Sequence, residues 1–574
     1  MTNNIRVFLW LAVGLALYIN YTQWQIDFAP KAAASAAAGV STDGSGGPKQ
    51  PSIDDTVPQV AQPPTAPTAP TADAPPTVAS AIPTPTDEST APSQVVRVVT
   101  DVLTIDIDLR GGTLVRAELP GYPVKKGQPE PVVLFNHDDP ATNYEVQSGI
   151  AGVHAENSPT HRAMLSSEAA KYTLGAGQQE LRVPLTWTDG KGVTVSKTFV
   201  FHRSMFTIGL EYAIDNKSSA PWSFATYTRL SRNDPAVERS MFVVESFATR
   251  GPAIWDPNGK KYQKLDIEKS ENQNLSLSVT GGWLAGIQHH FVGAIVPDQS
   301  KPYTYTLKVV GRQYVLGAEG AVTTIAPGKS ATLKEQLFVG PKLQRQLDSL
   351  HEELSRVADY GILTPLSKPL FLLLDYIHGV VKNWGIAIIL ATFLLKLLFY
   401  PLSEKAGRSM AKMRELTPRM KALQETYKDD RSKLGQATMD LYRTEKVNPL
   451  AGCLPMIIQM PVFLAFYWVL LESVEMRQAP FMLWITDLSS RDPFFILPAL
   501  NGLAMWIQYK LNPPPPDPVQ AKVFQFMPLV FSVMFALFPA GLVLYWVTNT
   551  GLSILQQWNI NRKIAAEKSA RNKR

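Results

Sequence analysis

The chain has 574 residues, a net charge of +6 and a mean hydropathy of −0.04. The chain is longer than one ordinary domain. Its mean hydropathy is near zero because an Ala/Pro/Thr-rich N-terminal part offsets an apolar C-terminal part. The single cysteine, Cys453, excludes an intramolecular disulfide and a cysteine-based metal site.

The N-terminal residues predict a membrane anchor. One early positive charge precedes an apolar run, residues 7–19, which is separated by aromatic residues from the small residues that a signal peptidase would need. We therefore expect residues 1–28 to form an uncleaved signal anchor with a cytoplasmic N-terminus. Residues 29–94 are dominated by Ala, Pro, Thr, Ser and Gly, which predicts a disordered linker.

Residues 95–341 change to short runs with a period of two, separated by Gly, Asn, Asp and Pro. Examples are Val193–Phe201, Phe206–Ile214, Tyr303–Val309 and Ala331–Phe338. This pattern predicts a large β-sandwich, which is extracytoplasmic if it follows the anchor. His289 and His290 are neighbours in a strand-like run, so we expect them on opposite faces and not on one metal.

Residues 342–382 predict helices at the membrane surface. Leu343–Val357 has leucines on one face and charges on the other. Leu363–Val381 is apolar but contains two prolines and charged residues, which favours the membrane interface over a full crossing.

The rear predicts a membrane core. The predicted segments are a span at 383–402, a cytoplasmic helical hairpin at 403–449, four spans within 450–561 and a basic tail at 562–574. With the anchor this makes six transmembrane helices. Residues 403–447 contain eleven basic residues, whereas the loop 472–493 contains two. The hairpin and both termini are therefore predicted to be cytoplasmic and the large domain periplasmic.

Lys396 lies inside the first apolar core span. A charge at that depth costs roughly 2.5–3.5 kcal/mol, and no acidic residue occurs in the core spans. Thr392 lies one turn earlier on the same helix face, and other spans offer Gln459, Ser532 and Asn549. These residues predict a hydrophilic cavity in the inner half of the membrane. The alternative is that the lysine stem reaches the cytoplasmic interface and serves no site.

The predicted hairpin carries an apolar stripe that includes Met410, Met413, Met420 and Leu423, with a turn at 428–430. Flexible methionines suit varied apolar partners, so this stripe is a candidate for substrate capture. A hairpin that packs only on itself explains the same pattern.

The sequence does not resemble an enzyme. The core spans contain no Asp, Glu or His, and the chain has no H-E-x-x-H, P-loop or G-x-S-x-G motif. We expect no catalytic residue, metal or cofactor.

Several motifs in order resemble the YidC family of membrane-protein insertases. They are Asn383-Trp384-Gly385, Tyr400-Pro401-Leu402-Ser403, the run from Lys446 to Pro455, the run from Gln459 to Phe463, and the run from Phe538 to Trp546. The front half, with Arg110-Gly111-Gly112 near the start of the β region, resembles the long Gram-negative members, which carry a periplasmic β-supersandwich.

The resemblance implies a five-helix core around a groove that opens to cytoplasm and lipid in the bacterial inner membrane. Lys396 occupies a position where the family usually has Arg, and it would attract acidic residues of the translocated segment. Trp546 stands where many members have Tyr. The implied substrate exit surface comprises Met460, Pro461, Phe463, Tyr467, Phe524, Phe531 and Trp546. The implied partners are nascent membrane proteins, the Sec translocon with its accessory subunits, membrane lipids and, through the basic tail, the ribosome, but not DNA.

Two other classes of function compete with this interpretation. A small-solute transporter or channel would use Lys396 as a binding site, but the chain lacks intramembrane acids and an inverted repeat. A carbohydrate-acting β-sandwich enzyme tethered to the membrane would need paired carboxylates, and no convincing pair is found in the sequence.

Overall fold

The structure is a computed structural model that describes residues 56–58, 94–152, 158–236, 248–427, 430–445, 454–511 and 518–572. The predicted anchor, 1–28, and most of the predicted linker lie outside these residues. The described chain divides into two compact units. One contains Pro51–Lys368 and Tyr467–Ala479, and the other contains Pro369–Phe466 and Pro480–Arg574.

The first unit is built from β-strands. In chain order they are β1 (Val95–Val99), β2 (Thr104–Asp108), β3 (Thr113–Pro123), β4 (Pro131–Phe135), β5 (Tyr144–Gly152), β6 (Lys171–Thr173), β7 (Glu180–Thr188), β8 (Val193–His202), β9 (Thr207–Asn216), β10 (Trp222–Asn233), β11 (Gly251–Asp256), β12 (Lys261–Lys264), β13 (Asn274–Thr280), β14 (Trp283–Ile287), β15 (Phe291–Val296), β16 (Pro302–Val310), β17 (Gln313–Gly320), β18 (Thr323–Ile325) and β19 (Lys329–Pro341). The four predicted example strands correspond to β8, β9, β16 and β19.

These strands form two sheets that share one apolar core. The larger has eleven strands, in the order β13-β16-β17-β10-β5-β3-β2-β1-β6, with β18 beside β10 and β4 beside β3. The smaller has eight, in the order β12-β11-β14-β15-β19-β9-β8-β7. Alternate residues face the core, as in β2, where Ile105 and Ile107 are fully buried between half-buried neighbours. This arrangement is the β-sandwich that the period-two pattern predicts.

The Arg110-Gly111-Gly112 motif is held by a buried lysine. Gly111 has φ +72°, and a Cβ at this position would lie 2.2 Å from the carbonyl oxygen of His161, so only glycine fits. Lys197 donates from Nζ to the carbonyl oxygens of Gly111, Gly112 and Ser148 at 2.7, 3.0 and 2.9 Å. Burial lowers the pKa of Lys197 to about 7. The three acceptors oppose this shift, because only an ammonium group has three N–H donors.

Replacing Lys197 with Met should destabilise the β-sandwich by about 3 kcal/mol, because three buried carbonyls lose their donor. Pulse proteolysis of the full chain across a urea gradient measures this loss. Lys217→Met is the matched control, since the Lys217 side chain is 78% exposed and its loss should leave the midpoint unchanged. An unchanged midpoint for Lys197→Met would contradict this role.

The predicted placement of His289 and His290 on opposite faces of a strand is wrong. They lie between β14 and β15 and not within a strand, and their rings stack with centroids 3.7 Å apart. Both Nε2 atoms face the carbonyl oxygen of Leu471, at 2.9 and 3.2 Å, so each ring donates to one acceptor. Among the residues that the structure describes, no group of three or more His, Cys, Asp or Glu side chains is arranged to hold a metal.

Glu472, which follows Leu471 in the chain, forms a buried ion pair within the first unit. Its Oε2 atom accepts from Lys342 Nζ at 2.6 Å, and its Oε1 atom accepts from the Thr249 backbone N–H at 2.8 Å. Both side chains of the ion pair are fully buried. Such a pair is costly to break, because removing either partner leaves a buried charge uncompensated.

Acid should weaken this unit. Burial lowers the pKa of His289 to about 3 and that of His290 well below the ordinary value of 6.5. The unfolded chain binds these protons near pH 6.5 and the folded chain does not, so stability falls as the pH drops from 6.5 toward 3. The slope is at most about 1.4 kcal/mol per pH unit for each histidine. A His289→Gln/His290→Gln variant keeps an N–H donor and should show a shallower loss between pH 7 and 5 in urea unfolding. Equal slopes would contradict this assignment.

The described helices are mostly in the second unit. They are α1 (Gln344–Leu350), α2 (Thr364–Val381), α3 (Trp384–Leu398), α4 (Tyr400–Thr426), α5 (Arg431–Thr444), α6 (Leu454–Glu472), α7 (Ile496–Leu511), α8 (Pro518–Phe535) and α9 (Ala540–Asn572). The predicted helix Leu343–Val357 is shorter than expected, since α1 ends at Leu350 and only a 3-10 turn, Leu354–Val357, follows. Residues 562–572 of the predicted basic tail continue α9.

The predicted helix across residues 383–402 is interrupted. Pro401 has no N–H to donate to the carbonyl of Leu397, and the N–H of Phe399 faces that carbonyl and the one of Leu395. The chain therefore bends by 61° between α3 and α4. Within the described residues, no single helix is both long and apolar enough to cross a membrane, while the bent pair from Trp384 to Met413 meets both criteria together.

Candidate functional site

Lys396 is held by side chains from three helices of the second unit. Its Nζ atom, on α3, donates to Ser553 Oγ of α9 at 2.7 Å and to Gln459 Oε1 of α6 at 3.3 Å. These acceptors are uncharged. Across the part of the chain that the structure describes, Lys396 makes no ion pair.

The acceptors are themselves fixed by hydrogen bonds. Gln459 Nε2 donates to Asn549 Oδ1, which orients the Gln459 oxygen toward Lys396. Ser553 Oγ donates to the Asn549 backbone carbonyl at 2.8 Å. With its proton committed there, Ser553 presents a lone pair to the ammonium. Asn549 therefore connects the two acceptors of Lys396.

Lys396, Gln459 and Asn549 line an open cavity between these helices. Its lining residues are Thr392, Leu395, Lys396, Phe399, Leu402, Ser403, Gln459, Val462, Tyr545 and Asn549. Thr392 is buried and donates to the Ile388 carbonyl of its own helix at 2.6 Å. Four of the five predicted groove residues thus lie around one space.

The fifth predicted groove residue, Ser532, is not among those that line this cavity. It lies on α8 and donates to the Pro498 carbonyl of α7 at 2.8 Å. A Cβ at Gly502 would lie 2.8 Å from Ser532 Oγ, so the two helices approach closely at this point. Ser532 joins helices in this structure, as polar residues in membrane bundles often do.

Ser553 was left out of the predicted groove, although it contacts Lys396 directly. Its signal in the sequence is its spacing from Asn549, four residues along α9, which places both on one helix face. Tyr545, one further turn before Asn549, follows the same spacing and lines the same cavity. The next residue, Thr550, faces elsewhere and lies 3.4 Å from Asn501 Oδ1 of α7.

Three residues of the predicted exit surface, Phe463, Phe531 and Trp546, lie in one aromatic row. Phe463 lies 4.8 Å from Trp546 between ring centroids, Trp546 lies 5.3 Å from Phe535, and Phe535 lies 6.1 Å from Phe531. Met460 and Phe524 are 51% and 42% exposed. Phe535, at the end of the predicted exit segment Phe524–Phe535, connects Trp546 to Phe531. Pro461 is exposed on α6, and Tyr467, which belongs to the first unit, contacts Trp468.

The hairpin formed by α4 and α5 packs on itself. Leu416 and Tyr442 are buried between its helices, and Met413 and Met420 pack against them, with Tyr442 Oη at 3.3 Å from Met420 Sδ. Leu423 is half-buried. The Met410 side chain lies outside the described residues. Asp430 begins α5 by accepting from the Lys433 N–H, at the turn predicted for 428–430.

Comparison with known proteins identifies the family. The description "YidC periplasmic domain" matches residues 95–373, and "60Kd inner membrane protein" matches residues 376–568. A relative from Methylococcus capsulatus, named membrane protein insertase YidC, is 44% identical over 98% of both chains. Relatives of the same name from Thioalkalivibrio sulfidiphilus and Nitrosococcus oceani are 44% and 42% identical over 98% of this chain and 99% of their own. The chain belongs to the YidC family.

Membership fixes the broad function and location. YidC proteins are membrane-protein insertases and chaperones, not enzymes, and they reside in the inner membrane with a periplasmic domain. The β-sandwich of residues 95–341 lies within the match to the periplasmic domain, and the Lys396 cavity lies within the match to the membrane region. The transporter alternative is therefore not favoured.

A side chain at Gly502 should force α7 and α8 apart. We expect Gly502→Ala to destabilise the full chain in detergent by about 1–3 kcal/mol, because its Cβ would meet Ser532. Gly551→Ala is the control, since a Cβ there has no neighbour within 4 Å. Adding Ser532→Gly to Gly502→Ala should restore part of the lost thermal stability. Failure of this second change to restore any stability would contradict the contact.

Proposed function

We propose that this chain inserts and helps fold inner-membrane proteins through the cavity around Lys396. The ammonium group attracts acidic residues in the segment that a substrate must translocate. The observation that carries the proposal is the set of contacts of Lys396, whose described partners, Ser553 and Gln459, are fixed and uncharged.

Neutral acceptors stabilise the ammonium without cancelling its charge. The two contacts use two of the three N–H donors of Lys396. A carboxylate that enters the cavity can accept the third and gains Coulomb attraction in a medium less polar than water. A protein acid at the same place would hold the lysine permanently and leave little attraction for a substrate.

Release into lipid requires an apolar surface, and the aromatic row on α6, α8 and α9 is our candidate. Val530 and Val533 on α8 are 61% and 65% exposed, beside the row that contains Phe531. Exposed apolar side chains of this extent suit contact with lipid or with an apolar substrate helix. In this proposal the substrate helix leaves along that surface, and hydrophobic partitioning supplies the free energy.

The remaining parts of the proposal concern topology and partners. We propose that α3 and α6–α9, together with residues 1–28, span the membrane, with both termini cytoplasmic and the groove open to the cytoplasm and to lipid. Nascent membrane proteins are the substrates, with or without the Sec translocon and its accessory subunits. The basic tail is the candidate ribosome contact. Part of it is engaged by the hairpin, since Arg408 of α4 pairs with Glu567 of α9 at 2.8 Å.

An insertion assay with the purified protein alone in liposomes tests the role of the Lys396 charge. The substrate is a short single-span protein with an acidic N-terminal segment, paired with a version that carries the amides in place of the acids. Lys396→Ala should reduce insertion of the acidic substrate by roughly tenfold, equivalent to about 1.4 kcal/mol of lost attraction. Lys396→Arg should retain insertion, because it keeps the charge.

Lys405→Ala is the matched control, because it removes an exposed lysine from α4 outside the cavity lining. It should insert both substrates like the unaltered chain. If Lys396→Ala inserts the acidic substrate normally, the charge has no role. If the unaltered chain inserts no substrate above empty liposomes, the proposal of autonomous insertion is wrong.

A further inference from the structure

The outer face of the larger sheet carries a buried arginine. On β10, Thr226 and Thr228 contact Glu335 of the other sheet, so they face the core of the sandwich. Tyr227 and Arg229 alternate with them and point to the opposite side. That side is not covered by the second sheet, yet Arg229 is only 5% exposed. Other groups must cover it.

Arg229 is held in one orientation. Its Nε atom donates to Gln147 Oε1 of β5 at 2.7 Å, and its Nη2 atom lies 3.1 Å from His161 Nε2. A guanidinium group can only donate, so His161 Nε2 accepts and the ring proton is on Nδ1. That proton points to Tyr227 Oη at 2.6 Å. Because its partners are themselves hydrogen-bonded, the guanidinium is preorganised.

The Nη1 atom of Arg229 donates to a main-chain carbonyl from a distant part of the sequence. The acceptor is the carbonyl oxygen of Thr56, at 2.6 Å. Thr56, Val57 and Pro58 belong to the region predicted as a disordered linker, and these three residues have no regular secondary structure. Thr56 and Pro58 line an open groove together with Arg229 and Gly317. Val57 precedes a proline, which favours an extended backbone.

The sheet leaves room for this segment beside Arg229. Strand register aligns Gln147, Arg229, Gly317 and Thr306 across β5, β10, β17 and β16. A Cβ at Gly317 would lie 3.2 Å from Arg229 Cβ and 3.3 Å from Thr306 Oγ1. Glycine weakens a strand interior and often marks a close approach of another backbone. Here it leaves the floor of the groove open next to the arginine.

A purely structural role for Arg229 explains less of this arrangement. Contacts to Gln147 and His161 would suffice to tie β5, β10 and the loop before Leu165 together. They do not account for a donor aimed at a main-chain carbonyl, or for a glycine directly beside it in the register. Both features suit the capture of an extended polypeptide, in which an extended, proline-containing backbone loses little entropy on binding.

We propose that this groove is a peptide-binding site for an extended, proline-containing polypeptide segment, and that its resident occupant is the chain's own Thr56–Pro58. Arg229 recognises a main-chain carbonyl, and Gly317 provides the space. The resident segment ties the region before β1 to the sandwich and forms one side of the groove.

The test uses the full chain in detergent with residues 51–62 deleted. The probe is a fluorescein-labelled peptide with the sequence of Pro51–Gln62, and anisotropy measures its binding. The deletion chain should bind the peptide saturably. The intact chain should bind it at least tenfold more weakly, because a tethered resident competes at a roughly millimolar effective concentration. A peptide of the same length with Thr56–Pro58 replaced by Gly-Gly-Gly loses the proline-containing segment and should bind at least tenfold more weakly.

Two variants of the deletion chain test the contacts separately. Arg229→Gln removes the donor, and Gly317→Val fills the groove while Arg229 stays and a β-branched residue suits the strand. Each should weaken peptide binding at least tenfold. Arg312→Gln is the matched control, because Arg312 pairs with Glu268 in the same domain and does not line the groove. It should bind like the deletion chain.

Three results would overturn the proposal. They are no binding by the deletion chain, equal binding by the deletion and intact chains, and unchanged binding by Gly317→Val with unfolding at the same urea concentration as the deletion chain. If Arg229→Gln fails to fold, Gly317→Val alone decides the outcome.

Discussion

The ammonium group of Lys396 has to be solvated by the protein, and this requirement explains much of how α3, α6 and α9 are arranged. Ser553 and Gln459 supply the acceptors, and Asn549 fixes both of them. An apolar helix bundle provides few such groups, so their positions are strongly constrained. The result is a charge that the protein stabilises through dipoles and that a visiting carboxylate can still attract.

The two units handle buried charge in different ways. In the sandwich unit, Lys342 and Glu472 form a closed pair with both side chains fully buried. Lys197 is saturated by three carbonyls. In the helical unit, the described contacts of Lys396 are two neutral side chains. Closed pairs and saturated donors hold a fold in place, whereas a charge with neutral partners suits transient binding.

Period-two patterning predicted the sandwich, because a strand with one face in a core must alternate apolar and polar residues. It failed at His289 and His290, where the chain turns between two strands and alternation no longer applies. The polar residues near Lys396 were predictable, since polar side chains in apolar spans turn inward. Which of these residues contact Lys396, and which join other helices, was not predictable. Ser532 and Ser553 look alike in sequence, and only the packing of α7 against α8, and of α9 against α3, separates their roles. The span predicted as one helix breaks before Tyr400, because Pro401 has no N–H for the helical hydrogen bond to the Leu397 carbonyl.

A charge exchange tests the role of Lys396 most directly. Lys396→Glu should insert the acidic single-span substrate poorly and should insert a version with lysines in the same positions better than the unaltered chain does. Both effects follow if the attraction is electrostatic, because only the signs have been exchanged. Equal loss of insertion for both substrates, with no preference reversed, would contradict the account and leave Lys396 a structural residue of the bundle.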